Sequence, residues 1–277
     1  MNDTEPKFSF DDSTAYERAM GRWSRAAAPI FLEWLAPHAG ARWLDVGCGT
    51  GILAHALLEL CSPAAVVGID SAGAQVRHAS RGPAGRGASF HVADARRLPF
   101  SAASFDIVAS SLVLNFISER QQALAEMRRV TRAGGAVAVY VWDFAEELSP
   151  SGPLRRAMRR FGVPVPPIPG TAESRMEALG ALFQEAGLEQ IETRGIDICL
   201  AYSDFDDFWQ AQTPSYAPTT KIIASMTESE RTRLKRAVRD QLPAAPGGVI
   251  EYFARANAVK ARVPRSTRGP QLEKLTH

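Results

Sequence analysis

At 277 residues, with 45% hydrophobic and 22% charged residues, the chain has an ordinary globular composition and enough length for one α/β domain with embellishments. A net charge of +2 is too small for a dedicated nucleic-acid or anionic-membrane surface, and no run approaches the roughly 18 apolar residues of a transmembrane helix. Cys48, Cys61 and Cys199 lack CxxC spacing, so neither a disulfide framework nor a zinc site is expected; with the polar, acidic start MNDTEPKFSFDDSTAYERAM they predict a cytoplasmic protein.

In chain order, AYERAMGRWSRAAAPIFLEWL reads as an amphipathic helix whose Trp23, Ile30, Phe31, Trp34 and Leu35 pack inward. Short apolar strands then alternate with helices. Strands are predicted at 42–46, 65–69, 89–92, 105–109 and 136–142, with helices at 52–60, 74–80 and 118–131. Ser118 is the expected N-cap of the last, whose Ala123, Leu124, Met127 and Val130 fall on one face. This alternation is the signature of a parallel sheet with crossover helices. After Trp142 the texture changes to SPSGPLRRAMRRFGVPVPPIPG, read as an insertion. Its proline run, 164–169, is a rigid loop, and its arginines form a solvated helix face or sense an acidic substrate. A helical stretch at 173–186, strands at 190–200 and 249–258, and intervening helices at 204–212 and 228–241 complete a seven-stranded sheet. The last residues, VPRSTRGPQLEKLTH, read as a loose basic tail.

The chemistry concentrates in ARWLDVGCGTGILAHALLEL. A P-loop requires GxxxxGK followed by Ser or Thr, and no lysine is near. A GxGxxG dinucleotide turn starting at Gly47 requires glycine where Ile52 stands. What remains is Asp45 followed by Gly47, Gly49 and Gly51. Alternate glycines let backbone approach a ligand without Cβ atoms in the way, while a carboxylate beside them repels pyrophosphate and attracts an ammonium. S-adenosylmethionine is a nucleoside whose tail carries that ammonium.

LDVGCGTG resembles the first motif of class I S-adenosylmethionine-dependent methyltransferases, and the resemblance runs from about Tyr16 to about Trp142. It implies a Rossmann-like, seven-stranded, mostly parallel sheet between helices, with an N-terminal helical lid and a helical insertion after the fifth strand. It also implies that Asp70 in VVGID, with Ser71 beside it, takes the ribose hydroxyls. Asp94 and Ala95 in HVADARRLPF take the adenine, and Ser110, Ser111 and Leu112 lie beneath the sulfonium. Cys48 within the glycine turn joins these contacts. EMRRVTRAGGAVAVY departs from the family in having Ala133 where proline is usual. Tyr16, Met20, Gly21, Trp23 and Arg25 look like the lid of small-molecule methyltransferases such as the ubiquinone and menaquinone biosynthesis type. There Tyr16 would cover the cofactor and Arg25 would meet the methionine carboxylate.

A single methyltransferase domain is therefore expected over 1–263: lid 1–40, cofactor core 41–142, helical insertion 143–188 and the C-terminal part of the sheet 189–263, before the tail at 264–277. Methyl transfer is an in-line displacement from an already activated sulfur, so alignment is the main task and no catalytic base is assigned. His38, His55, His78 and His91 are candidates by type only, two falling in helices and one in a strand. An acceptor is expected above the carboxyl ends of the strands, near Asn115, Trp142, Tyr202, Trp209 and Tyr252, although Phe205, Phe208 and Trp209 at helical spacing read equally as core. No metal is expected. The partners are S-adenosylmethionine, its product S-adenosylhomocysteine, and a small molecule; neither NPPY or DPPY nor a Pro-Cys nucleophile points to nucleic acid. A cofactor-binding regulator without turnover and a nicotinamide oxidoreductase are the alternatives.

Overall fold

The computed structural model describes residues 12–243 and 248–265. Strand β1 (Arg42–Val46) alternates between two helical layers: Trp43 is buried on one face, Leu44 and Val46 on the other. The same period organises β5 (Thr131–Trp142), where Ala136, Ala138, Tyr140 and Trp142 face the layer of Trp43, and Val137, Val139 and Val141 the opposite layer. Both faces are apolar because both are covered, as a parallel sheet requires. β2 (Ala65–Asp70), β3 (Ser89–Val92), β4 (Phe105–Ser111), β6 (Glu189–Tyr202) and β7 (Ile250–Arg262) complete the sheet, in the order β3-β2-β1-β4-β5-β7-β6, with β7 antiparallel to both neighbours.

The Trp43 face is covered by α1 (Ser13–Tyr16), one π turn at Glu17–Gly21, and α2 (Arg22–Leu35), with α3 (Ile52–Leu60) and α4 (Gly73–Arg81) following. On the other face lie α5 (Arg120–Val130) and, beyond α6 (Gly152–Arg160), α7 (Met176–Glu185). α8 (Phe205–Gln212), α9 (Pro218–Ala224) and α10 (Glu228–Arg239) stand between β6 and β7.

Each predicted strand is present, and β1, β3 and α3 have the expected bounds. Three local details differ. α5 starts at Arg120 because the Ser118 hydroxyl turns to the Glu119 carboxylate instead of capping the helix, and Glu119 becomes the N-cap residue. The stretch 173–186 divides into a 3₁₀ turn, Ala172–Ser174, and α7, separated by Arg175 in an extended conformation (φ −66°, ψ 145°). α9, opened by Pro218, was not expected. Within the predicted insertion, α7 docks Leu179 and Phe183 into the core beside β6 and β7, while α6 packs on the opposite layer. Most of the tail at 264–277, and the first eleven residues of the lid, lie outside the described residues.

The chain leaves β1 toward β2 and β3 and returns to β4 on the other flank, so a crevice opens between the carboxyl ends of β1 and β4. Phe183 is fully buried, and Phe183→Ala is expected to lower unfolding free energy by about 3–5 kcal/mol in a urea titration.

Candidate active site

β1 delivers Asp45 to this crevice, and the turn that follows bends through Gly47 (φ +75°), Gly49 (φ +52°) and Gly51 (φ +85°), left-handed conformations that side chains resist. The Ile69 carbonyl closes the turn by accepting from the amides of Gly47 and Cys48, both at 2.8 Å. A Cβ on Gly47 would lie 2.4 Å from Val113 Cγ2, whereas one on Gly49 would meet nothing within 4 Å. Space is therefore kept open at Gly49.

Asp45 is fully buried, and neither carboxylate oxygen has a hydrogen-bond partner among the described residues. Burial, followed by the charge of Asp70, pushes its pKa up to about 8. Asp70, at the end of β2, accepts from Gly49 N at 3.0 Å and from Ala72 N at 2.8 Å. Burial raises its pKa and these amide bonds oppose the rise. Each oxygen retains accepting capacity for a ligand hydroxyl. Burial also drives the Cys48 thiol well above its usual range, so it stays neutral in the turn.

A polar cleft of about 700 Å³, including its open mouth, runs from Gly47 past Asp70 and Ser71 to Asp94 and Ala95, with Val113, Phe116 and Glu119 opposite. Asp94 is held by a fork from Arg96, whose Nη2 lies 2.7 Å from it and whose Nη1 reaches Glu119 at 2.7 Å. Arg96 therefore keeps the Asp94 carboxyl below its ordinary pKa.

Beyond Phe116, which lines both, lies an apolar pocket of about 860 Å³. Tyr16, Leu112 and Trp142 form its inner wall, and Phe144, Ile168 and Tyr216 are among the residues that extend it outward. Leu112 sits at φ +62°, its amide held by the Tyr140 carbonyl at 2.8 Å, a strained position of the kind that gathers at functional sites. Tyr16 is 6.0 Å from Tyr216 between ring centroids, and burial pushes its pKa up to about 12.

The structure thus brings Gly47, Asp70, Ser71, Asp94 and Ala95 to the polar cleft, with Asp45 buried at the glycine turn that carries Cys48, Gly49 and Gly51, and places Tyr16, Leu112 and Trp142 on the adjoining apolar pocket. Ser110 is buried behind them with an unpartnered hydroxyl, and Ser111 hydrogen-bonds toward Tyr140. Arg25 pairs with Glu17, whose carboxylate also accepts from the Thr50 hydroxyl in the glycine turn. Nothing in the sequence singled out Glu17. Asn115 donates to Pro169 O at 3.3 Å and ties down the proline loop. Tyr202, Trp209 and Tyr252 do not line the apolar pocket. Tyr202 accepts from Trp23 Nε1 at 3.0 Å and stacks edge-on with Phe208, Trp209 packs against Phe205, and Tyr252 reaches Ser149 O at 3.3 Å. The core reading of these aromatics holds because β6 and α8 dock them against α2. Pro166, Ile168 and Pro218, which sequence reasoning missed, come from a loop and the start of α9, without periodic signal, and Gln212 from the end of α8, outside its aromatic repeat. No histidine of the described residues lines the apolar pocket.

The match to known proteins agrees with this geometry. A methyltransferase domain family matches residues 44–139. The ubiquinone/menaquinone biosynthesis C-methyltransferase UbiE of Ralstonia nicotianae is 30% identical over 177 residues, covering 55% of this chain and 69% of that protein. Its counterpart from Paracoccus denitrificans is 29% identical over 191 residues, covering 61% and 75%. The crystal structure of the YcgJ protein from Bacillus subtilis superimposes with a TM-score of 0.56 at 19% identity, over 86% of this chain and 98% of that one. The chain belongs to the class I S-adenosylmethionine-dependent methyltransferases. It is a methyltransferase with S-adenosylmethionine as its methyl donor. The orphaned Asp45 oxygens, the open space at Gly49 and the diol-competent Asp70 fit that group.

Two outcomes test the loop. Gly47→Ala is expected to lose about 1–3 kcal/mol of stability, through clash and strain. Gly49→Ala should fold with about 1–2 kcal/mol of backbone strain and bind S-adenosylhomocysteine more weakly by calorimetry. A further outcome concerns pH. Below about pH 8 the empty site holds Asp45 protonated, and an ammonium ligand must expel that proton. Affinity for S-adenosylhomocysteine should therefore rise up to tenfold per pH unit below about 8 and level off above it, a dependence that Asp45→Asn removes.

Proposed function

We propose that the enzyme methylates a largely apolar small molecule, bound in the pocket that meets the glycine-turn cleft at Phe116. The observation that most supports this reading is the adjacency of the two spaces: a polar cleft suited to a nucleoside and an apolar pocket share Phe116 as a wall. The UbiE relatives, named as acting in ubiquinone and menaquinone biosynthesis, suggest an acceptor with a flat apolar body. The near-neutral chain favours such an acceptor over nucleic acid. No described helix is long and apolar enough to cross a membrane, and three free cysteines suit a reducing cytoplasm.

S-adenosylmethionine, when bound, supplies a methyl group on a positively charged sulfur. The protein's residues supply alignment. Asp45 would hold the ammonium of the amino-acid tail, Asp70 and Ser71 the ribose, and Asp94 and Ala95 the base. Arg25, freed from Glu17, would serve the carboxylate. Leu112, Trp142 and Tyr16 would position the acceptor and exclude water, an arrangement worth roughly 7–11 kcal/mol as effective molarity without a catalytic base. Tyr16, with its pKa raised to about 12, stays neutral and serves as wall rather than base.

Incubation with labelled S-adenosylmethionine and a panel of apolar acceptors should give a methylated product and S-adenosylhomocysteine. Phe144→Ala, which loosens the pocket wall, should lower kcat/KM for that acceptor by about 10²-fold and leave S-adenosylhomocysteine affinity unchanged. Turnover confined to polar acceptors or to nucleic acid would refute the reading.

A further inference from the structure

Three polar groups stand unmatched in the apolar pocket. Arg155, in the first turn of α6, lines the pocket and makes one hydrogen bond to protein, from Nη2 to Pro166 O at 2.7 Å. No carboxylate of the described residues offsets its charge, and burial lowers its pKa to about 10. Its neighbours on α6 are served differently: Arg159 pairs with Glu147, and Arg156 donates to Gln241 Oε1 at 3.0 Å and Glu147 O at 3.1 Å. Gln212, from α8 and 4% exposed, donates Nε2 to Pro150 O at 2.9 Å. That bond fixes the amide's orientation and leaves Oε1 buried without a partner. Trp142, also 4% exposed, carries an indole N–H buried without a partner. A cation that no described carboxylate faces, a buried acceptor and a buried donor, carried by three residues that line one apolar pocket, are costly to the empty protein, and an oxygen-bearing ligand complements them.

We propose that the acceptor is an apolar hydroxy acid, its carboxylate held by Arg155 and its hydroxyl donating to Gln212 Oε1. The inference deepens the reading of this pocket as the acceptor site and rests on it. The guanidinium offers a fork to the carboxylate, a pairing stronger in an apolar wall than in water. Trp142 Nε1 supplies a further donor to oxygen, and the surrounding Phe144, Ile168 and Tyr216 take the apolar body. A neutral analogue of the same shape leaves Arg155 unpaired, so the pocket discriminates by charge and not by size.

The test is calorimetric titration of the full chain, saturated with S-adenosylhomocysteine, with three probes: 3-hydroxy-2-naphthoate, its carboxamide, and 2-naphthoate. The hydroxy acid is expected to bind about tenfold or more tightly than the amide, and more tightly than the acid without the hydroxyl. Arg155→Gln should abolish the preference for acid over amide, Arg155→Lys should keep part of it, and both should bind S-adenosylhomocysteine as the wild type does. Equal affinity of acid and amide for the wild type, no binding of the acid at millimolar concentration, or a preference that survives Arg155→Gln would each overturn the proposal. The first two comparisons need no variant, so misfolding of Arg155→Gln leaves the question decided. A charge preference without turnover of any apolar acceptor would overturn the preceding reading, and with it the assignment of the acid as acceptor, whereas turnover without a charge preference would overturn this proposal alone.

Discussion

The site is organised around a carboxylate that the fold buries and does not pair. Asp45 lies at the end of a strand whose other residues are fixed by packing, and no described donor reaches its oxygens. Such a group costs stability unless a ligand completes it. The glycine turn explains why a ligand can do so: three left-handed residues fold the backbone away from the space beside Asp45, and the Ile69 carbonyl fixes their path. Asp70 then restrains the turn through the Gly49 amide, so one carboxylate holds the turn and the other waits for charge.

Much of this arrangement is readable from residues. Alternating apolar strands with intervening helices determine a parallel sheet, and the spacing of Gly47, Gly49 and Gly51 after Asp45 distinguishes an ammonium site from a phosphate cradle. These signals are local: a strand's period and a turn's glycines lie within a few residues of each other. The wall of the apolar pocket carries no such signal. Tyr16, Leu112, Trp142, Ile168 and Tyr216 come from five separate stretches of chain, and only the sheet topology makes them neighbours. Tyr202 and Trp209 mislead for the complementary reason. An aromatic repeat is the same on paper whether it faces a ligand or, as here, α2 and the core. The ion pair of Arg25 with Glu17, which opens the π turn, likewise has no signal in the spacing of the sequence.

The division of labour along the chain follows from methyl-transfer chemistry. A leaving group that is already cationic needs no strong acid or base, and the described residues place no histidine in the apolar pocket. What the protein must provide is a dry, shaped contact between two ligands. Leu112 lines the apolar pocket in a backbone conformation few leucines adopt, braced by β5 through Tyr140 O.

The placement of α8 and α9 between β6 and β7 has a bearing on how such a protein can diversify. They and the segment between them contribute Gln212, Tyr216 and Pro218 to the outer wall of the pocket, yet none of this stretch lines the polar cleft of Asp70 and Asp94. Residues far apart without shared partners change independently. Substitutions in this short helical stretch can therefore reshape the outer wall while leaving every residue of the polar cleft, whose lining ends at Glu119, unchanged.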